Sequence, residues 1–123
     1  MVNNQIIDDR ATALSPEDFA ALREDLREQL LFRKEQLRQL SEAATRADAF
    51  LDRHTAARME IRVKLAASAG MVLTDVEAAL ARMDQGTYGT CHLCRRPMAR
   101  EQLLIVPQAR YCTRCRHVRE TGR

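Results

Sequence analysis

The chain has no tryptophan, and phenylalanine and tyrosine together make up only 4% of its 123 residues. A compact globule of this size needs large apolar side chains at its centre, so this scarcity argues against one. It also argues against a platform of rings for stacking nucleic-acid bases. Glycine and proline are scarce, with four and three copies, and most sit where helices would have to begin or end. No apolar run approaches the roughly 18 residues needed to cross a membrane. Residues 1–14 mix Asn, Asp and Arg and lack the apolar core of a signal peptide, so the expected location is cytoplasmic. There is no Ser/His/Cys set at catalytic spacing and no glycine loop for phosphates, and the chain is expected not to be an enzyme.

What the chain has in quantity is Ala, Leu, Glu, Gln and Arg, the composition of long helices and coiled coils. Residues 1–14 read as a loose tail. Ser15 is placed to cap a helix, with Pro16 at the first helical position and Glu17 and Asp18 facing the positive end of the dipole. Phe19, Leu22, Leu26, Leu30, Leu37, Leu40, Ala44 and Ala47 then recur at steps of three and four, with Arg33 filling one slot. A second seam runs through Ile61, Leu65, Ala69, Val72, Val76, Leu80 and Met83, and Gly86 stops it. Met59, Met71 and Met83 read as packing residues, and His54 as a solvated loop residue.

Between the seams, residues 48–55 are small and polar, with Asp48 or Asp52 as candidate N-cap of a second helix. The midpoint of the helical stretch falls near Leu51, inside this turn. Two arms of about 30 residues, each about 45 Å long, would form an antiparallel hairpin over 15–86. The rival reading is one continuous helix that pairs between chains. The hairpin could satisfy its seams alone, as a monomer, or pair weakly with a second copy. Gly70, inside the second arm, signals either a close helix contact or a bend.

Residues 87–123 have another character. Cys91-His92-Leu93-Cys94 and Cys112-Thr113-Arg114-Cys115 are two C-x2-C units separated by seventeen residues. In a reducing compartment this spacing points to zinc rather than to disulfides, redox chemistry or an iron–sulfur centre. Four thiolates leave no open position, so the ion is expected to be structural. His92 and His117 read as surface residues beside a complete ligand set. Leu103, Leu104, Ile105 and Val106, ended by Pro107, read as a strand or buried loop, and a brief helix is expected from Cys115 to Glu120. Residues 91–123 hold 8 Arg against 2 Glu, a net of +6, whereas residues 1–90 hold 12 Lys and Arg against 15 Asp and Glu, a net of −3. A basic end of this kind favours acidic partners.

The stretch Gly86-Thr87-Tyr88-Gly89-Thr90-Cys91-His92-Leu93-Cys94, followed by Leu103, Pro107, Ala109, Cys112 and Cys115, resembles the DksA/TraR family of bacterial zinc-finger transcription factors. The resemblance covers residues 72–118. It implies a mainly α protein, a coiled-coil hairpin followed by a four-cysteine zinc finger with a short C-terminal helix. It further implies a regulator that binds RNA polymerase through its secondary channel, often together with the alarmone ppGpp, without reading a DNA sequence. The hairpin tip is then a partner-binding site, with Asp48 and Asp52 as its acids. The family's tip commonly reads D-x-x-D-x-A, but here three residues separate the acids and Arg46 and Arg53 flank them. Arg95 stands where the family usually has Gly, which implies local backbone strain. Two other readings of the residues are a nucleic-acid-binding finger using Arg95, Arg96, Arg100, Arg110, Arg114 and Arg116, and a zinc-stabilised protein adaptor without a transcriptional role.

Overall fold

The computed structural model describes the backbone of residues 14–47 and 53–121, and the side chains of 14–43 and 56–121. The expected tail over 1–14, apart from residue 14, lies outside the described residues, as do Asp48 and Asp52. Four helices are described: α1 (Pro16–Ala47), α2 (Arg53–Gln85), α3 (Arg100–Ile105) and α4 (Thr113–Thr121). The first two form the helical hairpin. His54, expected in a loop, is in the first turn of α2.

The start of α1 follows from its sequence. The Asp18 amide donates to Ser15 Oγ at 2.9 Å, and the Ser15 amide donates to Asp18 Oδ2 at 3.2 Å. Each side chain thus satisfies an amide the helix leaves without a partner, and Pro16 has no amide hydrogen to satisfy. The end of α2 is equally well specified. Gly86 has φ of 80°, and the Thr87 amide reaches back to the Arg82 carbonyl at 2.9 Å. This is a Schellman closure, and it needs a residue that accepts left-handed backbone without a Cβ penalty.

Two compact units can be distinguished. One contains residues up to 27 together with 75 onward, and the other contains 28–74. In the first, Leu22, Leu26, Val76, Ala79 and Met83 are buried helix positions, joined by Cys91, Met98 and Leu103. Arg23 Nη2 meets Asp84 Oδ1 at 3.2 Å, so the beginning of α1 lies beside the end of α2, as in an antiparallel pair. In the second unit, Leu37, Leu40 and Ser41 share a groove with Arg62, Val63 and Ala66. Arg33, which interrupts the α1 seam, is half-buried, donates to Gln36 Oε1 at 2.9 Å and covers the Phe32 ring at 5.3 Å.

The seam of α2 differs from the one expected in its first half. One line of covered positions runs through Met59, Arg62, Ala66, Ala69, Leu73, Val76, Leu80 and Met83 in alternating steps of three and four, and from Gly70 onward it widens to include Val72, Ala79 and Arg82. Ile61 is 58% exposed, Leu65 47% and Met71 70%. The expected line through Ile61, Leu65 and Ala69 takes two successive steps of four. At 3.6 residues per turn this swings Ile61 about 80° away from Ala69. Alternating steps drift by only about 20° per heptad, which a supercoil absorbs. The rule selects Arg62 and Ala66 over two larger apolar residues. Gly70 is explained by neither expected cause: a Cβ built there would meet nothing within 4 Å, so no neighbour requires its small size.

The run before Pro107 is a helix, not a strand. α3 begins with good helix formers, Arg100, Glu101 and Gln102, and a four-residue apolar run cannot by itself distinguish strand from helix. Only Leu103 is buried, while Ile105 is 80% exposed. Val106 leaves the helix with φ of −129° and ψ of 83°, as expected for a residue before proline.

Candidate metal centre

The first knuckle is a tight backbone loop. Thr90 and Pro97 form an isolated antiparallel bridge, and the Met98 amide donates to the Gly89 carbonyl at 2.7 Å. Inside it, the Cys91 amide donates to the Arg96 carbonyl at 2.9 Å and the Arg95 amide to the Cys91 carbonyl at 3.1 Å. These bonds draw Cys91 and Cys94 to one side. To close the loop Arg95 adopts φ of 64°, so the strain anticipated at this residue is present. Arg95→Gly is expected to stabilise the metal-loaded protein by about 1 kcal/mol, read from denaturant midpoints. An unchanged or lower midpoint would mean that the left-handed turn is not the costly feature.

The second knuckle is built on a helix start. Cys112 immediately precedes α4, and its Sγ accepts the Cys115 amide at 3.4 Å. The sulfur therefore does the work of an N-cap oxygen. The Leu93 amide likewise donates to Cys91 Sγ at 3.4 Å. The His92 amide donates to the Arg110 carbonyl at 2.9 Å and links the two halves.

As a result all four sulfurs lie within 4.8 Å of one another, with Cys94 and Cys112 3.9 Å apart. No disulfide joins them, and 3.9 Å is far beyond a bond of about 2.05 Å. Four sulfurs at about 2.3 Å from one tetrahedral ion would stand about 3.8 Å apart, so the donor set fits a single metal ion. The four thiols are not equivalent. Burial by itself raises the Cys91 thiol, but backbone amides aimed at its sulfur outweigh that and bring it down to about 6. Cys115 is pushed up to about 12, first by its hydrogen bond to Cys112. His92 stands edge-on to Tyr111 at 6.0 Å and is outside the cluster, as is His117. Burial, then the charges of Arg82, Arg110 and Arg95, lower the His92 pKa.

Several residues that brace this region, Tyr88 apart, carry no sequence motif. Arg100 donates to both carboxyl oxygens of Asp18, at 2.7 and 3.0 Å. Arg110 Nε donates to Asp75 at 3.0 Å, and the Tyr88 hydroxyl donates to the Pro107 carbonyl at 2.8 Å. Arg82 is buried, donates to the Ala109 carbonyl at 3.3 Å, and has its pKa lowered by that burial. Each is an ordinary charged or polar residue until the fold brings its partner from a distant part of the chain.

The Arg100 guanidinium, followed by the Ser15 amide, holds the Asp18 carboxyl down at about 2 from an ordinary 3.8. A depressed carboxylate contributes stability that is full above the unfolded pKa and is lost as pH falls through the folded one. Asp18→Asn should therefore be less stable than the zinc-loaded parent at neutral pH, and the difference should shrink when Arg100 is also replaced by Gln. A difference of the same size in both backgrounds would remove the ion pair as its cause.

No family model matches the chain. An uncharacterized protein of Aquifex aeolicus (strain VF5) is 35% identical over 43 residues, a match that covers 35% of this chain and 30% of that protein's length. The solved structure of transcription factor DksA2 from Pseudomonas aeruginosa superposes with a TM-score of 0.76 at 18% identity, covering 97% of each chain. The chain thus has the fold of that solved structure, and its C-terminal segment carries four cysteines placed to hold one metal ion.

Proposed function

We propose that this chain is a zinc-binding transcriptional regulator that binds RNA polymerase by entering its secondary channel with the hairpin. The observation that carries the reading is the likeness to DksA2, a transcription factor, over 97% of both chains. Helices of 32 and 33 residues supply the length that such entry requires. Cys91, Cys94, Cys112 and Cys115 hold one zinc ion, the metal that four thiolates in a tetrahedral set favour. Zinc here fixes the fold of the finger and has no open coordination position for chemistry, in keeping with a protein that is not an enzyme. Asp48 and Asp52 are assigned to the tip, where they would act inside the channel.

The nucleic-acid reading is less well supported. Of the arginines it needs, Arg100 is paired with Asp18, Arg110 with Asp75 and Arg116 with Glu120. Half of its six arginines are thus engaged elsewhere, which leaves Arg95, Arg96 and Arg114 for a phosphate backbone.

The deciding experiment measures binding of the zinc-loaded protein to its host's core RNA polymerase, with a known secondary-channel factor as competitor. Competitive binding supports the reading. Binding without competition keeps the polymerase and discards the channel, and no binding at micromolar concentration discards both. With binding in hand, Asp48→Ala combined with Asp52→Ala should abolish regulation in reconstituted transcription while zinc content and helicity stay as in the parent.

A further inference from the structure

Charge is divided between opposite halves of the two long helices. α1 carries a net −3 over 16–31 and +2 over 32–47, and α2 carries +3 over 53–68 and −2 over 69–85. Between the two charged parts of α2, Leu65 to Thr74 is a run of ten residues without a charge, whereas no such run in α1 exceeds four. Ala66, Ala69 and Leu73 in this run are covered, but Ala67, Ser68, Met71 and Thr74 are exposed, Met71 to 70%. At 3.6 residues per turn these four share the side of α2 opposite the covered line, with Lys64 before them and Asp75 after. Lys64 is exposed and, among the described residues, has no hydrogen bond or ion pair. Asp75 engages Arg110 through Oδ1 alone, and its side chain stays 42% exposed. A helix side that meets only water ordinarily carries charge, so three uncharged turns around an exposed methionine mark a contact.

We propose that this side of α2 is a contact between two copies of the chain, packed antiparallel about a twofold axis near residues 69 and 70. Charge complementarity selects the occupant. An antiparallel second copy sets the basic half of each α2 against the acidic half of the other, and the uncharged runs against each other. Positions 64 and 75 then come level, so Lys64 of each copy meets Asp75 of the other, and the twofold repeats the pair. Met71 of one copy lies level with Ser68 of the other, a small residue that lets the helices approach. The halves of α1 carry the matching signs in the same antiparallel order and add to the complementarity. A parallel pairing would set like charges together. An acidic segment of another protein would satisfy the basic half only, and a nucleic acid would meet repulsion along the acidic half. Ile61 lies about 80° round the helix from Met71 and stays outside the contact. One large apolar side chain at the centre makes this a weak, reversible pair.

Sedimentation equilibrium of the full-length, zinc-loaded protein tests the pairing. At low salt the mass is expected to rise from 14.0 kDa toward twice that value as concentration is raised from about 1 µM to several hundred µM. Added salt should weaken the association about tenfold. Lys64→Glu, which sets like charges against each other, should weaken it about tenfold at low salt and much less at high salt. Met71→Asp should weaken it at both. Both positions are exposed, and far-UV circular dichroism checks that the helices of each variant are intact. Leu31→Ser, at a 68% exposed position on α1 outside the contact, should associate like the parent. A mass that stays at 14.0 kDa over the whole range overturns the proposal. So does parent-like association of Lys64→Glu and Met71→Asp, or an equal loss in Leu31→Ser, which would mark the association as unspecific. Polymerase takes no part in these measurements, so their failure leaves the function proposed above untouched, and the failure of that function leaves the pairing standing.

Discussion

Stripping the metal at neutral pH is expected to unfold the segment from 87 to 121 while most of the α1 and α2 helicity remains. The segment contributes few buried side chains of its own, chiefly Cys91, Met98 and Leu103. Its helices are 6 and 9 residues long, below the roughly 12–15 that an isolated helix needs even in a favourable sequence. Structural zinc supplies about 10–16 kcal/mol in comparable small fingers, as much as the whole stability of an ordinary domain. The ties through Arg100, Arg110 and Tyr88 are a few hydrogen bonds, each worth about 1 kcal/mol in net terms, and cannot replace it. By contrast α1 and α2 have 32 and 33 residues. Hydrogen exchange gives the sharpest readout: the Leu93 and Cys115 amides, which donate to sulfur, should lose protection on chelation. Circular dichroism should change only slightly. Cys91→Ser, at a fully buried position, should behave like the stripped protein. Protected finger amides after complete metal removal would show that the packing beneath the finger, rather than the metal, folds it.

The parts of this protein that were legible in its sequence are those fixed by local rules. Ser15, Pro16 and Asp18 announce a helix start because the groups they satisfy lie within one turn. Gly86 announces a stop because the closure demands left-handed backbone. The four cysteines announce a metal centre because a knuckle is a local geometry, and the structure brings all four together. Arg95 was marked as a strained position only by the resemblance, because the family usually has Gly there, and the structure gives it φ of 64°. The run before Pro107 was not, since its four apolar residues suit either a strand or a helix, and the helix formers before it decide the matter.

Contacts between distant segments left no trace in the sequence. Asp18 and Arg100 are 82 residues apart, and Arg82 lies 27 residues before the carbonyl it reaches. The capping role of Asp18 masked its second partner: one oxygen serves the Ser15 amide, and both serve Arg100. The pairing register of the hairpin was partly hidden as well. Apolar character drew the expected α2 seam to Ile61 and Leu65, whereas the geometry of two long helices keeps to alternating steps and covers Arg62 and Ala66 instead. Arginine can occupy such a place because its aliphatic stem packs while its guanidinium reaches the edge.

That difference of register has a large and opposite signature in stability. Leu26, fully buried in the first unit, should cost about 2–5 kcal/mol when truncated to Ala, through lost burial and the cavity left behind. Ile61 and Leu65, at 58% and 47% exposed, have no cavity to leave. Surface changes of this type usually fall within about 0.5 kcal/mol of the parent. Alanine is moreover a better helix former than isoleucine by a few tenths of a kcal/mol, so Ile61→Ala should be neutral or slightly stabilising. Urea unfolding of the zinc-loaded variants, with unchanged slope, separates the cases: a lowered midpoint for Leu26→Ala and parent-like midpoints for Ile61→Ala and Leu65→Ala. A cost near 2 kcal/mol at Ile61 would mean that something covers it in solution. Dependence of that cost on protein concentration would then identify the cover as a second copy of the chain, and its absence would return the α2 seam to the line through Ile61, Leu65 and Ala69.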